Sequence, residues 1–131
     1  MDNYIECSLD VSVPPKGILV VEDDAALRFT LSEWLRMGGY IVYESANADD
    51  AIVALASPVV IDLVITDVDM PGSMNGLGLL NHINNVGAGV SVIVVSGKYP
   101  GRLINDRNVQ FFSKPYHLPT VSAHIASVLR I

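Results

Sequence analysis

The sequence predicts an α/β fold, one open parallel sheet with helices on both faces, from three observations. Short runs of aliphatic and β-branched residues recur along the chain. Between them lie segments with apolar residues at helical spacing, an alternation that implies βαβ units with right-handed crossovers. One run, Val90 to Val95, is apolar but for Ser91, as expected of a central strand covered on both faces.

Residues 1 to 16 stand apart as an N-terminal tail. Leu9, Val11 and Val13 alternate with polar residues there, and Pro14-Pro15 ends any regular pairing. The domain itself is expected from residue 17 to residue 131. Ile18 to Val21 reads as the first strand. Asp24 is a good cap for a helix running to Met37, with Leu27, Leu31, Trp34 and Leu35 on one face and Gly38-Gly39 as its stop. Tyr40 to Glu44 is the second strand. Asn47 caps a short helix through Ala51, Ile52 and Leu55, which Ser57-Pro58 ends. The third strand lies within Val59 to Thr66, and Leu77, Leu80 and Ile83 mark a helix to about Asn85. Val90 to Val95 and Val109 to Phe112 are the fourth and fifth strands. A helix between these two is expected to be short, because Pro100-Gly101 is a poor helix interior. His117 to Leu129 is the final helix, with Val121, Ile125 and Val128 facing the core. Five strands so arranged fit a flavodoxin-like, doubly wound sheet of order 2-1-3-4-5.

Composition narrows the functions. The 131 residues are half hydrophobic and 17% charged, which describes a compact chain able to bury one core. A formal net charge of −6 argues against non-specific nucleic-acid binding, which relies on Lys and Arg neutralising phosphates. The single cysteine, Cys7, permits no internal disulfide and no thiolate metal cluster. There is neither a basic segment leading into an apolar signal core nor an apolar run of membrane length, so a cytoplasmic setting without membrane insertion is expected.

Polar residues fall at the ends of the apolar runs. Glu22 and Asp23 follow the first, Asp67 the third, Ser96 the fourth and Lys114 the fifth. In the order 2-1-3-4-5 the first strand lies beside the third, so Glu22 and Asp23 meet Asp67 at the topological switch point, where open α/β sheets bind ligands. Clustered carboxylates need positive compensation to stay ionised. Mg²⁺ is a natural one, a hard ion that takes carboxylate, carbonyl, water and phosphate oxygens. Lys114 adds a second positive charge. An aspartate so placed can act as a nucleophile toward phosphorus, giving an aspartyl phosphate.

These residues carry a resemblance. Ile18-Leu19-Val20-Val21-Glu22-Asp23-Asp24, Asp67-Val68-Asp69-Met70-Pro71-Gly72 with Gly76 beyond, Ser96-Gly97 and Lys114-Pro115 together resemble the receiver domain of two-component response regulators, over residues 17 to 131. The resemblance implies that Asp67 is the phosphoacceptor and that Glu22 and Asp23 are the acidic pair of the metal site. It implies Mg²⁺ held by Asp23, Asp67 and the backbone carbonyl of Asp69, with Ser96 as the switch hydroxyl and Lys114 as the phosphate-binding lysine. The expected partners are a sensor histidine kinase or phosphotransfer protein and a downstream protein target, with no direct nucleic-acid contact. The protein would be a signalling phosphoacceptor and not an enzyme acting on other substrates.

Three departures from the family pattern bear on signalling. The switch aromatic is Phe111, which lacks a hydroxyl. The stretch from Ser96 to Lys114 is a few residues shorter than usual. No output domain follows the final helix, so a stand-alone receiver that signals by phosphorylation-dependent docking is expected. Two alternatives compete. Asp67-Val68-Asp69 after an apolar strand also resembles the nucleophile motif of haloacid-dehalogenase-like phosphohydrolases, although there the acidic pair comes after the lysine. A receiver-like module that no longer uses phosphate is the other. Asp24 reads as a helix cap, Lys98 and Asp69 either as flanking the site or as a solvated pair, Trp34 as packed on its helix, and His82, His117 and His124 as surface histidines.

Overall fold

In a computed structural model the chain is described over residues 14–68, 76–86, 89–97 and 109–129. The elements run β1 (Gly17–Val21), α1 (Ala25–Met37), β2 (Ile41–Ser45), α2 (Ala48–Ala56), β3 (Leu63–Asp67), α3 (Gly76–Val86), β4 (Ser91–Ser96), β5 (Val109–Ser113) and α4 (Leu118–Leu129). All strand pairs are parallel, in the order β2-β1-β3-β4-β5. The flavodoxin-like, doubly wound architecture is therefore as the sequence predicts. The short helix expected between β4 and β5 falls mostly on residues 98–108, outside the described residues, as do Cys7, Leu9, Val11, Val13, Asp69 and Lys98.

The β1 and β3 side chains alternate between two apolar layers. Ile18, Val20, Leu63 and Ile65 pack with Leu31 and Leu35 of α1 and Val121, Ile125 and Leu129 of α4. Leu19, Val21 and Val64 face the other way, onto Ala48 and Ala51 of α2 and Leu79, Leu80 and Ile83 of α3. Burial on both faces explains why these strands lack the polar alternation of a half-exposed sheet.

Local chemistry sets the element ends. The Asp24 side chain accepts from the backbone N–H groups of Ala26 and Leu27, so it caps α1 as read. Asn47 does the same for α2 through the Asp50 N–H. Gly39 leaves α1 with φ of +97°, a conformation that glycine adopts without a Cβ clash. At Gly17 the constraint is contact: a Cβ there would collide with the Val60 carbonyl. The same residue exchanges two hydrogen bonds with Asp62, one through its N–H to the carboxylate and one through its carbonyl, each 2.8 Å.

The face of α1 differs from the expectation. Leu31, Ser32 and Leu35 are buried, while Leu27 and Trp34 are exposed at 45% and 39%. The buried stripe is rotated toward the side that carries Arg28 and Ser32. In α4 the third buried position is Leu129, with Val128 only partly covered. His124 is also not a plain surface residue. It packs edge-on against Phe112 with ring centroids 5.7 Å apart, and burial lowers its pKa below the usual histidine value.

At the outer strand of the sheet, Ile41 donates its N–H to Lys16 and Ser45 accepts from the N–H of Glu22. Those two residues face inward, so the backbone of Val42 faces out. The Arg36 Nη2 donates to that outward Val42 carbonyl at 3.0 Å.

Candidate phosphoacceptor site

The register brings the strand-end residues together. Val21 of β1 lies opposite Thr66 of β3, so Glu22 emerges beside Asp67. Asp67 lies opposite Val95 of β4, and Ser96 lies opposite Ser113 of β5. Glu22, Asp67 and Ser96 are all buried. Asp23 is exposed, and the carboxylate oxygens of Glu22, Asp23 and Asp67 approach within 4.8 Å of one another.

Lys114 answers this negative charge. β5 lies two strands from β3, about 10 Å at ordinary strand spacing. The long lysine stem bridges the end of β4, and its backbone N–H donates to the Ser96 carbonyl at 2.8 Å. Its Nζ lies 2.6 Å from Asp67 Oδ2 and 3.2 Å from Glu22 Oε1. The other Glu22 oxygen accepts from the Asp24 N–H at 3.1 Å. The Lys114–Pro115 peptide is cis.

The ionisation of the site follows. Burial raises the Glu22 pKa first, and a hydrogen bond with Asp23 adds to it, while the Asp24 N–H and Lys114 pull it back. Burial, and not the like-charge repulsion expected of clustered carboxylates, is the largest cause. Burial works against the Lys114 ammonium as well, but hydrogen bonds to Asp67 and Glu22 outweigh it and hold its pKa above the usual lysine value. Tyr116 is raised too, by burial and then by the Glu22 charge, which places its phenol within the field of the site.

Two features escaped the sequence reading. An open apolar groove of about 440 Å³ lies beside Lys114, lined by Leu27, Thr30, Leu31, Pro115, Tyr116 and Leu118. The exposed Leu27 belongs to it. The other is Arg28, whose Nη1 donates to the Glu22 carbonyl at 2.7 Å. A cation in the early turns of a helix opposes the helix dipole, and that oddity was the available signal. Phe111 sits in β5 opposite Val94 and is partly buried against the α2 and α3 layer.

A fold of this topology, with three carboxylates and a lysine at the carboxyl edge of the sheet, defines a class. Residues 18–126 match the family model described as the response regulator receiver domain, and the chain belongs to that family. It is 41% identical over 83 residues to the Regulator of RpoS of Escherichia coli, an alignment covering 62% of this chain and 23% of that protein. The chain thus spans under a quarter of that relative's length. The receiver domain of the hybrid histidine kinase CckA superposes with a TM-score of 0.72 at 33% identity, over 86% of this chain and 98% of that one. A response regulator receiver protein from Sinorhizobium medicae, 19% identical, shares the fold with a TM-score of 0.81, over 88% of this chain and 95% of that one. Membership of this family sets aside the phosphohydrolase alternative. No helix among the described residues is long and apolar enough to cross a membrane.

Proposed function

We propose that the protein accepts a phosphoryl group on Asp67 from a histidine kinase or phosphotransfer protein and signals by altered docking to a downstream protein. The observation that carries this reading is the Lys114 ammonium 2.6 Å from Asp67, beside the acidic pair. An Asp67 oxygen attacks phosphorus, an O–P bond forms, and the P–N bond to the donor imidazole breaks, with the imidazole taking up a proton. Lys114 is placed to meet the negative charge spread over the transferring oxygens.

The donor set fits a hard divalent cation. It offers only oxygens, those of Glu22, Asp23 and Asp67 within 4.8 Å of one another, with Asp23 and Asp67 as the carboxylates proposed to hold Mg²⁺. Bound there, the ion neutralises charge on the phosphoryl group. The Asp69 carbonyl proposed as a further ligand lies outside the described residues. Ser96, at the end of the adjacent strand, is the hydroxyl proposed to turn toward the phosphoryl group, and Phe111 the aromatic that follows it inward. The apolar groove beside Lys114 is the surface on which a donor protein rests while presenting its phosphohistidine.

Intact-mass measurement after incubation with acetyl phosphate and Mg²⁺ tests the assignment. The wild type gains one phosphoryl adduct and Asp67→Asn gains none. A full adduct on the variant would overturn it, and no adduct on either would favour a phosphate-independent module.

A further inference from the structure

Arg28 sits where charge alone would not place it. It is in the fourth position of α1, near the positive end of the helix dipole, and on the rotated face that buries Leu31, Ser32 and Leu35. Specific partners hold it. Its Nη1 donates to the Glu22 carbonyl at 2.7 Å, and its Nε faces Glu44 Oε1 at 3.5 Å. Glu44 is held in turn by Arg36, whose Nη2 lies 3.0 Å from Oε2. Meanwhile the Glu22 N–H donates to the Ser45 carbonyl. Glu22 is therefore pinned by its amide, its carbonyl and both carboxylate oxygens.

The Glu22 carbonyl belongs to the planar peptide that joins Glu22 to Asp23. Fixing that oxygen fixes the plane, and the Asp24 N–H bonded to Glu22 Oε2 holds the next one, so the Asp23 side chain leaves the backbone between two held peptides. We propose that Arg28 is a positioning residue: from a seat set by Glu44, it grips the Glu22 carbonyl and so aims the exposed Asp23 carboxylate at Asp67 and a divalent cation. The inference rests on the metal reading above.

Charge and geometry give opposite signs, which makes the idea testable. Removing a guanidinium from an acidic neighbourhood should, by Coulomb attraction alone, tighten cation binding. Loss of positioning should weaken it, on the order of tenfold, as when an outer partner of a metal ligand is removed. Mn²⁺ binding followed by electron paramagnetic resonance is compared for the wild type, Arg28→Ala, Arg28→Lys and Arg36→Ala. The expected result is weaker binding in Arg28→Ala and partial recovery in Arg28→Lys, whose single ammonium lacks the fork to hold the carbonyl and Glu44 together. Arg36→Ala removes a hold on Glu44 but no contact with Glu22, so it should weaken binding less than Arg28→Ala does. In the metal-free protein the amide resonances of Asp23 and Asp24 should move in Arg28→Ala, and by less in Arg36→Ala.

Should Arg28→Ala fail to fold, Glu44→Gln loosens the seat while keeping the helix intact, and a smaller loss of affinity is expected. Equal or tighter Mn²⁺ binding in the folded variant would overturn the role of Arg28. Failure of the wild type to bind Mn²⁺ would instead overturn the metal reading. The amide shifts, recorded without metal, keep the two failures apart.

Discussion

Lys114 Nζ lies 2.6 Å from Asp67 Oδ2 although Lys114 follows β5 and Asp67 ends β3, with β4 between them. A second contact, 3.2 Å to Glu22 Oε1, makes the ammonium the shared counter-charge of two buried carboxylates. Removing it leaves both without that compensation. Lys114→Ala is expected to lose on the order of 2 kcal/mol of stability at neutral pH, below the cost of breaking a fully buried pair because the lysine is partly exposed. Millimolar Mg²⁺ should restore part of the loss, since a cation that binds only the folded state stabilises it. Urea unfolding with and without Mg²⁺ is the measurement, and a variant as stable as the wild type without metal would contradict the shared role.

The raised pKa of Glu22 fixes a pH dependence. A carboxyl whose folded pKa lies above its unfolded value contributes stability below the unfolded value, near 4.5, and loses it as pH rises through the folded one. Glu22 therefore makes the metal-free protein less stable on going from about pH 4.5 toward neutrality. Glu22→Gln should remove that component. Thermal unfolding of both proteins in EDTA across this range should show the flatter profile in the variant; parallel profiles would speak against burial of an ionised Glu22. Lys114 acts at the alkaline end: its folded pKa lies above 10.5, so its contribution holds below that value and fades only as pH rises further.

Ser32 offers a test of packing. Its side chain is wholly buried in α1, and among the described residues its hydroxyl has no hydrogen-bond partner. Ser32→Ala removes an unsatisfied polar group and adds helix propensity, so a gain of about 1 kcal/mol is expected by chemical denaturation. A loss would mean that the hydroxyl is satisfied in solution.

The groove beside Lys114 predicts a split between donors. Leu27→Asp puts a charge into an apolar surface that a donor protein would cover but a small molecule would not. Phosphotransfer from a cognate kinase should slow at least about tenfold, the effect of roughly 1.4 kcal/mol. Phosphorylation by acetyl phosphate should be unchanged. Equal slowing with both donors would point to damage at Asp67 itself.

The strand order, both helix caps and the meeting of Glu22, Asp23, Asp67 and Lys114 at one sheet edge were legible from the sequence. The reason is physical: apolar runs fix the strands, and the crossover rule fixes where their ends converge. The face of α1 was not. Periodicity gives the width of a stripe but not its rotation, and the apolar residues alone turn the helix toward Leu27 and Trp34, whereas Ser32 is buried and Arg28 half-buried. Those two polar residues are the ones whose partners or burial lie across the fold. His124 was misjudged for the same reason, since its neighbour Phe112 lies on another element. The Asp69 carbonyl, Lys98 and the short helix before β5 all fall outside the described residues.

The Arg36 contact with the outward carbonyl of Val42 has a consequence beyond holding α1 to β2. β2 is the end strand of the sheet, and open strand edges are templates on which another chain can add itself. A strand arriving from a neighbouring molecule would meet an acceptor already taken and a guanidinium flanked by Glu33 and Glu44. A charged side chain at the border is one of the devices by which edge strands are blunted against pairing with another chain.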